Sequence, residues 1–398
     1  MSADRRRPRV FMMDLLATVP YYTAYLSKAL LQHPIDLTVG SITYYLDPDC
    51  FTSRGIQVDP GLLDVVGKAR LPRLPRRILK LLEAMLNLCT LTVRFFSSPP
   101  DVIHVQYLPM LMTPAPMDLW FVEYCRYRGS KIVLTVHDLL PHDTGEKYRA
   151  AFDELYRGVD AIICHSEAVR ARLAMEFGVL AEKVSVIPHG PFFYDLPASN
   201  REENLRSFAL EQGKVHVLWQ GIIFPYKGID LLLSAWKQVE SKSGDACLVI
   251  AGTGAPGLLQ EIRTQVGALG LKRVKLHFRF VTSEELVALY RAVDLVVYPY
   301  RAITTSGALA TGLAMGKAII ATDLPVFREM LTDGANVLLV APQDCDALAN
   351  AVIELIQDVE LRERLAANVR AMDFGDESWR MIAMQTMETY ERMLPRSG

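Results

Sequence analysis

The sequence predicts an α/β protein built from two doubly wound halves, and three observations carry that reading. Short β-branched, apolar runs alternate with longer amphipathic stretches along most of the chain, a pattern that means parallel strands joined by right-handed helical crossovers. The alternation stops once, at Pro191–Asn200 (PFFYDLPASN), and then restarts. The length of 398 residues leaves room for two domains at roughly 100–200 residues each.

The elements follow in order. Val10–Leu15 reads as a strand, Tyr22–Gln32 as a helix and Ile35–Ser41 as a strand. Arg76–Phe96 is a long amphipathic helix, followed by strands at Val102–Gln106 and Lys131–His137. A helix at Lys147–Arg157, a strand at Ala161–His165, a helix at Glu167–Phe177 and a strand at Val184–Ile187 close the first half. Beyond the break, Val215–Gln220, Ala246–Ala251, Lys275–Phe280, Leu295–Tyr298, Ala318–Ala321 and Asn336–Val340 read as strands. Gly228–Glu240, Leu258–Leu269, Ser283–Ala292, Gly307–Met315, Pro325–Asp333 and Cys345–Gln357 read as helices. Glu377–Leu394 is one more helix. The expected units are 1–195, 196–376 and a terminal helix at 377–398, with ligands expected where the carboxyl ends of two such sheets face a cleft.

Composition narrows the function classes. Forty-three Lys and Arg against 45 Asp and Glu give a net charge of −2, which makes no electrostatic case for nucleic acid. Six cysteines stand without any CxxC or close pair, which excludes a short-spaced zinc ribbon and fits reduced thiols in the cytoplasm. The basic-to-apolar start MSADRRRPRVFMMDLLATVP carries Asp14 and no small-residue cleavage site, so it reads as the lead into a first strand rather than a signal peptide. No 18-residue apolar stretch is free of charge, and a transmembrane helix is not expected.

Several motifs sit at predicted strand ends. Gly221-Ile-Ile-Phe-Pro-Tyr-Lys227-Gly228 links a strand to a helix, and Ala251-Gly252-Thr-Gly254 follows a buried strand. Tyr298-Pro299-Tyr300 precedes Ser306-Gly307, which opens a helix ending in Ala314-Met315-Gly316-Lys317. Phe327-Arg328-Glu329 and Leu338-Leu339-Val340-Ala341-Pro342 come next. In the first half, Val136-His137-Asp138 and Ile187-Pro188-His189-Gly190 end strands. Together these motifs resemble the retaining glycosyltransferases of the GT-B fold, in particular the large GT4 family, strongly over 215–345 and more loosely before 130.

The resemblance implies two Rossmann-like domains. The N-terminal one takes the acceptor, the C-terminal one takes a nucleotide sugar, and the last helix crosses back to the first domain. It implies a metal-independent hexosyl-type transferase with no cofactor besides its nucleoside-diphosphate-sugar donor, acting in the cytoplasm in polysaccharide biosynthesis. The family's paired glutamates would fall at 303 and 311, where this chain has Ile303 and Thr311, which marks a divergent subgroup. The usual Arg after Gly221 is Ile222, and the usual glycine-rich first loop reads Ala17-Thr-Val-Pro-Tyr-Tyr-Thr23.

The residue chemistry runs in parallel. Thr305, Ser306 and Gly307 form a capped helix start whose free amides and dipole suit a diphosphate; a plain helix cap is the competing reading. Lys227, beside Gly221, is placed to meet the leaving phosphate, or is a solvated loop lysine. Arg301 is a candidate replacement guanidinium. The match Gly252-Thr-Gly254-Ala-Pro-Gly257 to GxGxxG reads as a tight turn near a ligand rather than a NAD site, since it follows an internal strand. By resemblance, Gly252, Phe280, Val281, Thr311 and Glu329 border the nucleoside, and His137 lines the donor sugar, unless it only caps a carbonyl. His137, Asp138, His142 and Asp143 match no zinc spacing, and no metal site is expected. Tyr21 and Tyr22 suit stacking on an acceptor or ordinary packing. The basic, apolar Arg70–Lys80 stretch is either a solvated helix start or a peripheral contact with the inner, anionic membrane surface holding a lipid-linked acceptor. Two other outcomes stay open: a GT-B sugar-phosphate synthase or epimerase, and a non-catalytic binding protein that kept the fold.

Overall fold

The computed structural model describes residues 6–69, 72–141, 145–197, 199–372 and 374–395. His142, Asp143 and Arg70 lie outside them. The chain divides into two compact units, one of residues 1–188 with 379–398 and one of 189–378. The sequence-based boundaries stood at 195/196 and 376/377. The Pro191–Asn200 segment therefore belongs to the second unit, where Phe193 is buried.

In the first unit the elements run β1 (Arg9–Asp14), α1 (Pro20–Leu30), β2 (Asp36–Ser41), α2 (Arg73–Ser97), β3 (Val102–Val105), α3 (Met117–Tyr127), β4 (Lys131–Val136), α4 (Gly145–Gly158), β5 (Ala161–Cys164), α5 (Glu167–Phe177) and β6 (Val184–Val186). The second unit runs α6 (Arg201–Ser207), β7 (Val215–Gln220), α7 (Ile229–Lys242), β8 (Ala246–Ala251), α8 (Pro256–Ala268), β9 (Val274–His277), α9 (Ser283–Ala292), β10 (Leu295–Tyr298), α10 (Gly307–Ala314), β11 (Ala318–Thr322), α11 (Pro325–Arg328), β12 (Leu338–Val340), α12 (Cys345–Gln357) and α13 (Val359–Arg370). The last helix, α14 (Asp376–Met393), joins the first unit from Trp379 onward.

Both sheets are six-stranded, in the orders β2-β1-β3-β4-β5-β6 and β12-β11-β10-β7-β8-β9, and every strand pair is parallel. Strands buried on both faces need continuous apolar runs, which is what AIIC of β5 and ACLVIA of β8 supply. In each sheet the chain reverses direction beside its first strand, so switch points lie at β1/β3 and at β7/β10. Loops leaving the carboxyl ends of strands at such a point diverge and open a crevice.

The sequence pattern missed α3, α6 and α13. Before α3 the run MLMTPAPM is apolar but for Thr113, carries two prolines and shows no helical period. Helix α13 abuts α12 at a single residue, Asp358, whose carboxylate caps it by accepting the Leu361 amide at 2.8 Å, so no loop marks the boundary. The helix expected at Pro325–Asp333 stops at Arg328, where the chain turns and Asn336 accepts the Thr332 amide at 2.8 Å.

A buried histidine fastens the terminal helix. His104 on β3 is bonded through Nδ1 to Tyr390 and through Nε2 to Thr135, both at 2.7 Å, and burial pushes its pKa down to about 3. The unfolded chain takes up this proton near pH 6.5 while the fold resists it. Stability from His104 is thus complete above pH 6.5 and drains away as pH falls toward 3. His165 adds to this, its pKa pushed down to about 4 by burial. Asp118, lifted by burial to about 6, acts in the opposite direction. Melting curves from pH 7.5 to 4.5 should fall less steeply for His104→Gln than for the wild type; parallel slopes would show that His104 does not carry the acid sensitivity.

Candidate functional site

In the second unit the switch-point loops are tied to each other before any ligand arrives. After β7, Gly221 takes φ 139° and its amide donates to Ala251 O at 3.1 Å. Pro225–Lys227 form one 3-10 turn, and Gly228 then takes φ 69° to start α7. A Cβ at Gly228 would stand 2.0 Å from Pro299 O, so the β7 and β10 loops touch backbone to backbone. Arg301 locks the same junction: its amide donates to Tyr226 O at 2.7 Å, and its guanidinium forks onto Asp230 at 2.9 and 2.6 Å. Burial alone would raise the Asp230 carboxyl, but the Arg301 fork holds it below its ordinary value. Arg301 is thus a clamp on the loop, and the spare guanidinium sought from the sequence is already committed to Asp230.

Lys227 is half-buried. Its Nζ stands 3.1 Å from where a Cβ on Gly221 would be and 5.7 Å from the centre of the Tyr300 ring. The ammonium therefore lies over the carboxyl end of β7. On the β10 side, Ser306 caps α10 by accepting the Leu309 amide at 3.1 Å. The amides of Gly307 and Ala308, in the first turn, have no acceptor within the helix. Thr305 precedes them, half-buried. Beneath α10 a buried chain runs from Gln220 to Tyr290 (2.8 Å), Tyr290 to Tyr298 (3.2 Å) and Tyr298 to Ala308 O (2.8 Å). These bonds fix the helix start against the sheet. Replacing Ser306 by alanine should cost about 1 kcal/mol, seen as a Tm lower by ~2–4 °C; an unchanged Tm would remove the capping role.

His189, seen in the sequence as part of a strand-end motif, was given no site role there. It is buried, its Nδ1 donates to Gly190 O at 2.7 Å, and its ring lies beside Gly307, where a Cβ would meet Cε1 at 3.2 Å. Its sequence signal was the strand-end motif Ile187-Pro188-His189-Gly190 just before the break. Thr311, expected at the nucleoside, is 2% exposed; its hydroxyl donates to Gly307 O at 2.8 Å and accepts the Phe192 amide at 3.3 Å, so it holds α10 and the 192 segment together. Phe280 and Val281 are half-buried between β9 and α9, and Gly252 lies one loop away, its amide donating to His277 O at 3.1 Å. Glu329 is exposed just after α11.

In the first unit, Asp14 ends β1 fully buried and accepts the Thr18 and Val19 amides at 2.8 and 3.1 Å. Burial lifts its carboxyl above the ordinary range despite those bonds. The β1–α1 loop is thereby shaped by a carboxylate instead of glycines, with Ala17 at φ 49°. His137 follows β4, half-buried, with Nε2 3.0 Å from Gln106 Oε1. Tyr22 departs from expectation. It is 2% exposed, edge-on to His137 at 4.8 Å and to Trp379 of α14 at 5.5 Å. With no face open, it supports His137 and does not stack on an acceptor. Tyr21 is only half-buried, and its hydroxyl donates to Asp47 at 3.0 Å. Among the described residues no cluster of His, Cys, Asp or Glu could hold a metal ion.

Residues 19–190 match the family profile described as glycosyltransferase family 4, and residues 214–358 match that of glycosyl transferases group 1. The chain belongs to the family 4, group 1 glycosyltransferases. An uncharacterized glycosyltransferase of Methanocaldococcus jannaschii is 26% identical, over 60% of this chain and 61% of its own. The phosphatidyl-myo-inositol mannosyltransferase of Mycobacterium leprae is 34% identical, over 42% of this chain and 43% of its own. A D-inositol 3-phosphate glycosyltransferase of an Arthrobacter species is 25% identical, over 68% and 66%. The matches thus span less than two thirds of these relatives' lengths. Among solved structures, Anabaena HepE in complex with UDP and glucose aligns with a TM-score of 0.74 at 20% identity, covering 98% of this chain and 100% of that one. Sucrose-phosphate synthase of Thermosynechococcus elongatus aligns with a TM-score of 0.71 at 19% identity, covering 98% and 99%. The fold of this family 4 glycosyltransferase is GT-B.

Proposed function

We propose that the chain transfers a sugar, with retention at the anomeric carbon, from a nucleoside-diphosphate sugar to a hydroxyl of a saccharide or lipid-linked saccharide. The observation that carries this is the β7/β10 switch point: a half-buried ammonium over Gly221 and a capped helix start whose first amides have no acceptor within the helix, on loops locked to one another. These are two sources of positive potential for one diphosphate. Among relatives, a phosphatidyl-myo-inositol mannosyltransferase and HepE in a complex with UDP-glucose support the substrate classes.

In this reading Thr305, Ser306 and Gly307 bind the diphosphate with Gly221 and Lys227. Gly252, Phe280, Val281 and Glu329 border the nucleoside, and Thr311 acts by fixing α10. The glycosidic C–O bond to the diphosphate breaks while the acceptor oxygen bonds the same face of the sugar. The departing β-phosphate oxygen takes the acceptor's proton, so no protein nucleophile is needed. Lys227 and the α10 amides meet the charge that grows on that phosphate, the role otherwise filled by a metal. His137 offers a hydrogen bond to the donor sugar, and Tyr21 contributes to acceptor binding. The six cysteines are all free thiols, which fits work in the cytoplasm, in assembly of a polysaccharide or glycolipid.

The test is a transfer assay with a panel of nucleotide sugars and saccharide acceptors, the product's anomeric coupling read by proton NMR. An α-linked product from an α-linked donor is expected. An inverted product would overturn the retaining mechanism, and nucleotide release without any glycoside would overturn transfer to these acceptors.

A further inference from the structure

Helix α2 carries its apolar residues on the wrong side for a soluble surface. Its inner face is filled by Ala84, Leu88, Leu91 and Phe95. Its outer face still presents Leu79, Leu82, Leu86, Cys89, Val93 and Phe96, at spacings of 3, 4, 3, 4 and 3. The leucines are 40%, 49% and 57% exposed, Val93 75% and Phe96 65%. The stripe runs for about 25 Å at 1.5 Å per residue. From Arg77 to Ser97 the exposed residues include a single charge, Arg77 itself. Helix α3 extends the face: Tyr124 donates to Thr92 O at 3.1 Å, and Trp120 and Tyr127 stand 56% and 86% exposed. Soluble monomers rarely leave so long an apolar patch uncovered.

The charges around the stripe indicate what covers it. The one acid of α2, Glu83, is buried and accepts the Val65 and Val66 amides at 2.6 and 3.1 Å. At one end of the helix Arg77 is exposed, while Arg76 lies over the Tyr45 ring at 4.3 Å and Lys80 donates to Leu16 O at 3.1 Å. At the other end stand Arg126, exposed but within 3.7 Å of Asp160, and Arg128, over the Phe96 ring at 4.7 Å. The single exposed acid on these two helices is Glu123. Pairing two copies through α2 would set basic ends against basic ends, whether parallel or antiparallel. A negatively charged surface with an apolar interior answers both features at once.

We propose that the outer face of α2 and α3 docks on an anionic lipid bilayer, with the apolar stripe in the acyl boundary and the flanking arginines at the headgroups. This deepens the lipid-linked acceptor reading. Vesicle binding needs neither donor nor acceptor, so the proposal stands or falls separately from transfer.

The experiment sediments the full chain with vesicles of phosphatidylglycerol in phosphatidylcholine, and with phosphatidylcholine alone. The wild type should partition onto the anionic vesicles, at least tenfold less onto neutral ones, and less as salt rises. Leu82→Gln with Leu86→Gln should reduce anionic partition at least tenfold at unchanged Tm, since both side chains already face solvent. Arg77→Glu should weaken partition onto anionic vesicles alone. A wild type that stays in solution with both vesicles, or a double variant that binds as before, overturns the proposal. So does a dimer in light scattering that the double variant dissociates without any vesicle binding, which would assign the face to a second copy.

Discussion

Lys227→Ala is expected to lower kcat/KM for the donor by about 100- to 1,000-fold, the range seen when one donor to a developing oxyanion is removed, while Tm stays within ~2 °C. The turn that carries the side chain is held by backbone bonds, Lys227 N to Phe224 O at 3.1 Å and Gly228 N to Pro225 O at 3.3 Å. Those bonds survive the substitution. The ammonium is half-buried over Gly221, where water screens it only partly, so its loss should appear in kcat more than in donor KM. Lys227→Arg should restore activity only in part, because a planar, delocalised guanidinium does not replace the compact point charge of an ammonium. Arg301→Ala should instead loosen the loop, lowering Tm together with activity. Steady-state release of the nucleoside diphosphate measures all three. A loss under about threefold for Lys227→Ala would remove it from the leaving-group site.

The second large effect is on stability. Gly252 takes φ 151°, and a Cβ there would lie 1.8 Å from Gly221 O. Nothing nearby can yield. The Gly221 amide is bonded to Ala251 O, the Gly252 amide to His277 O and the Ile223 amide to Thr253 O, at 3.1, 3.1 and 2.8 Å. Gly252→Ala therefore has to break ladder bonds at the carboxyl ends of β7, β8 and β9, at a cost above ~3 kcal/mol. A unit of this size should melt ~6–12 °C lower. Gly257→Ala is the control. It sits in the first turn of α8 with nothing within 4 Å of the added Cβ, and it should be neutral or stabilising by up to ~1 kcal/mol. Equal melting temperatures for the two variants would refute the close approach.

What could be read from the sequence was what is written locally. Runs such as ACLVIA and LVVY announce strands buried on both faces. Gly221, Lys227, Gly252 and Ser306 sit at strand ends, where a doubly wound sheet puts ligands, and the structure brings Lys227 and Ser306 to the two sides of one switch point. Partnerships across the chain were not written locally. The Tyr22 ring is covered by Trp379 of the terminal helix, and most of α1 is buried, so no polar stripe distinguished its inner face. Arg301 looked available until Asp230, 71 residues away, was found holding it. His189 gains meaning only from Gly307. The leucines of α2 look uniformly like core in the sequence, and only the packing decides that Leu88 is covered and Leu86 is not.

The central claim is that the β7/β10 switch point holds a nucleoside diphosphate. Calorimetric titration of the purified chain with UDP, GDP, ADP, TDP and CDP tests it most directly, beside a thermal-shift series in which bound ligand raises apparent stability by RT ln(1 + [L]/Kd). One nucleotide is expected to bind the wild type, and to bind Lys227→Ala at least tenfold more weakly, naming the base of the donor. No heat and no shift with any of the five at millimolar concentration would contradict it.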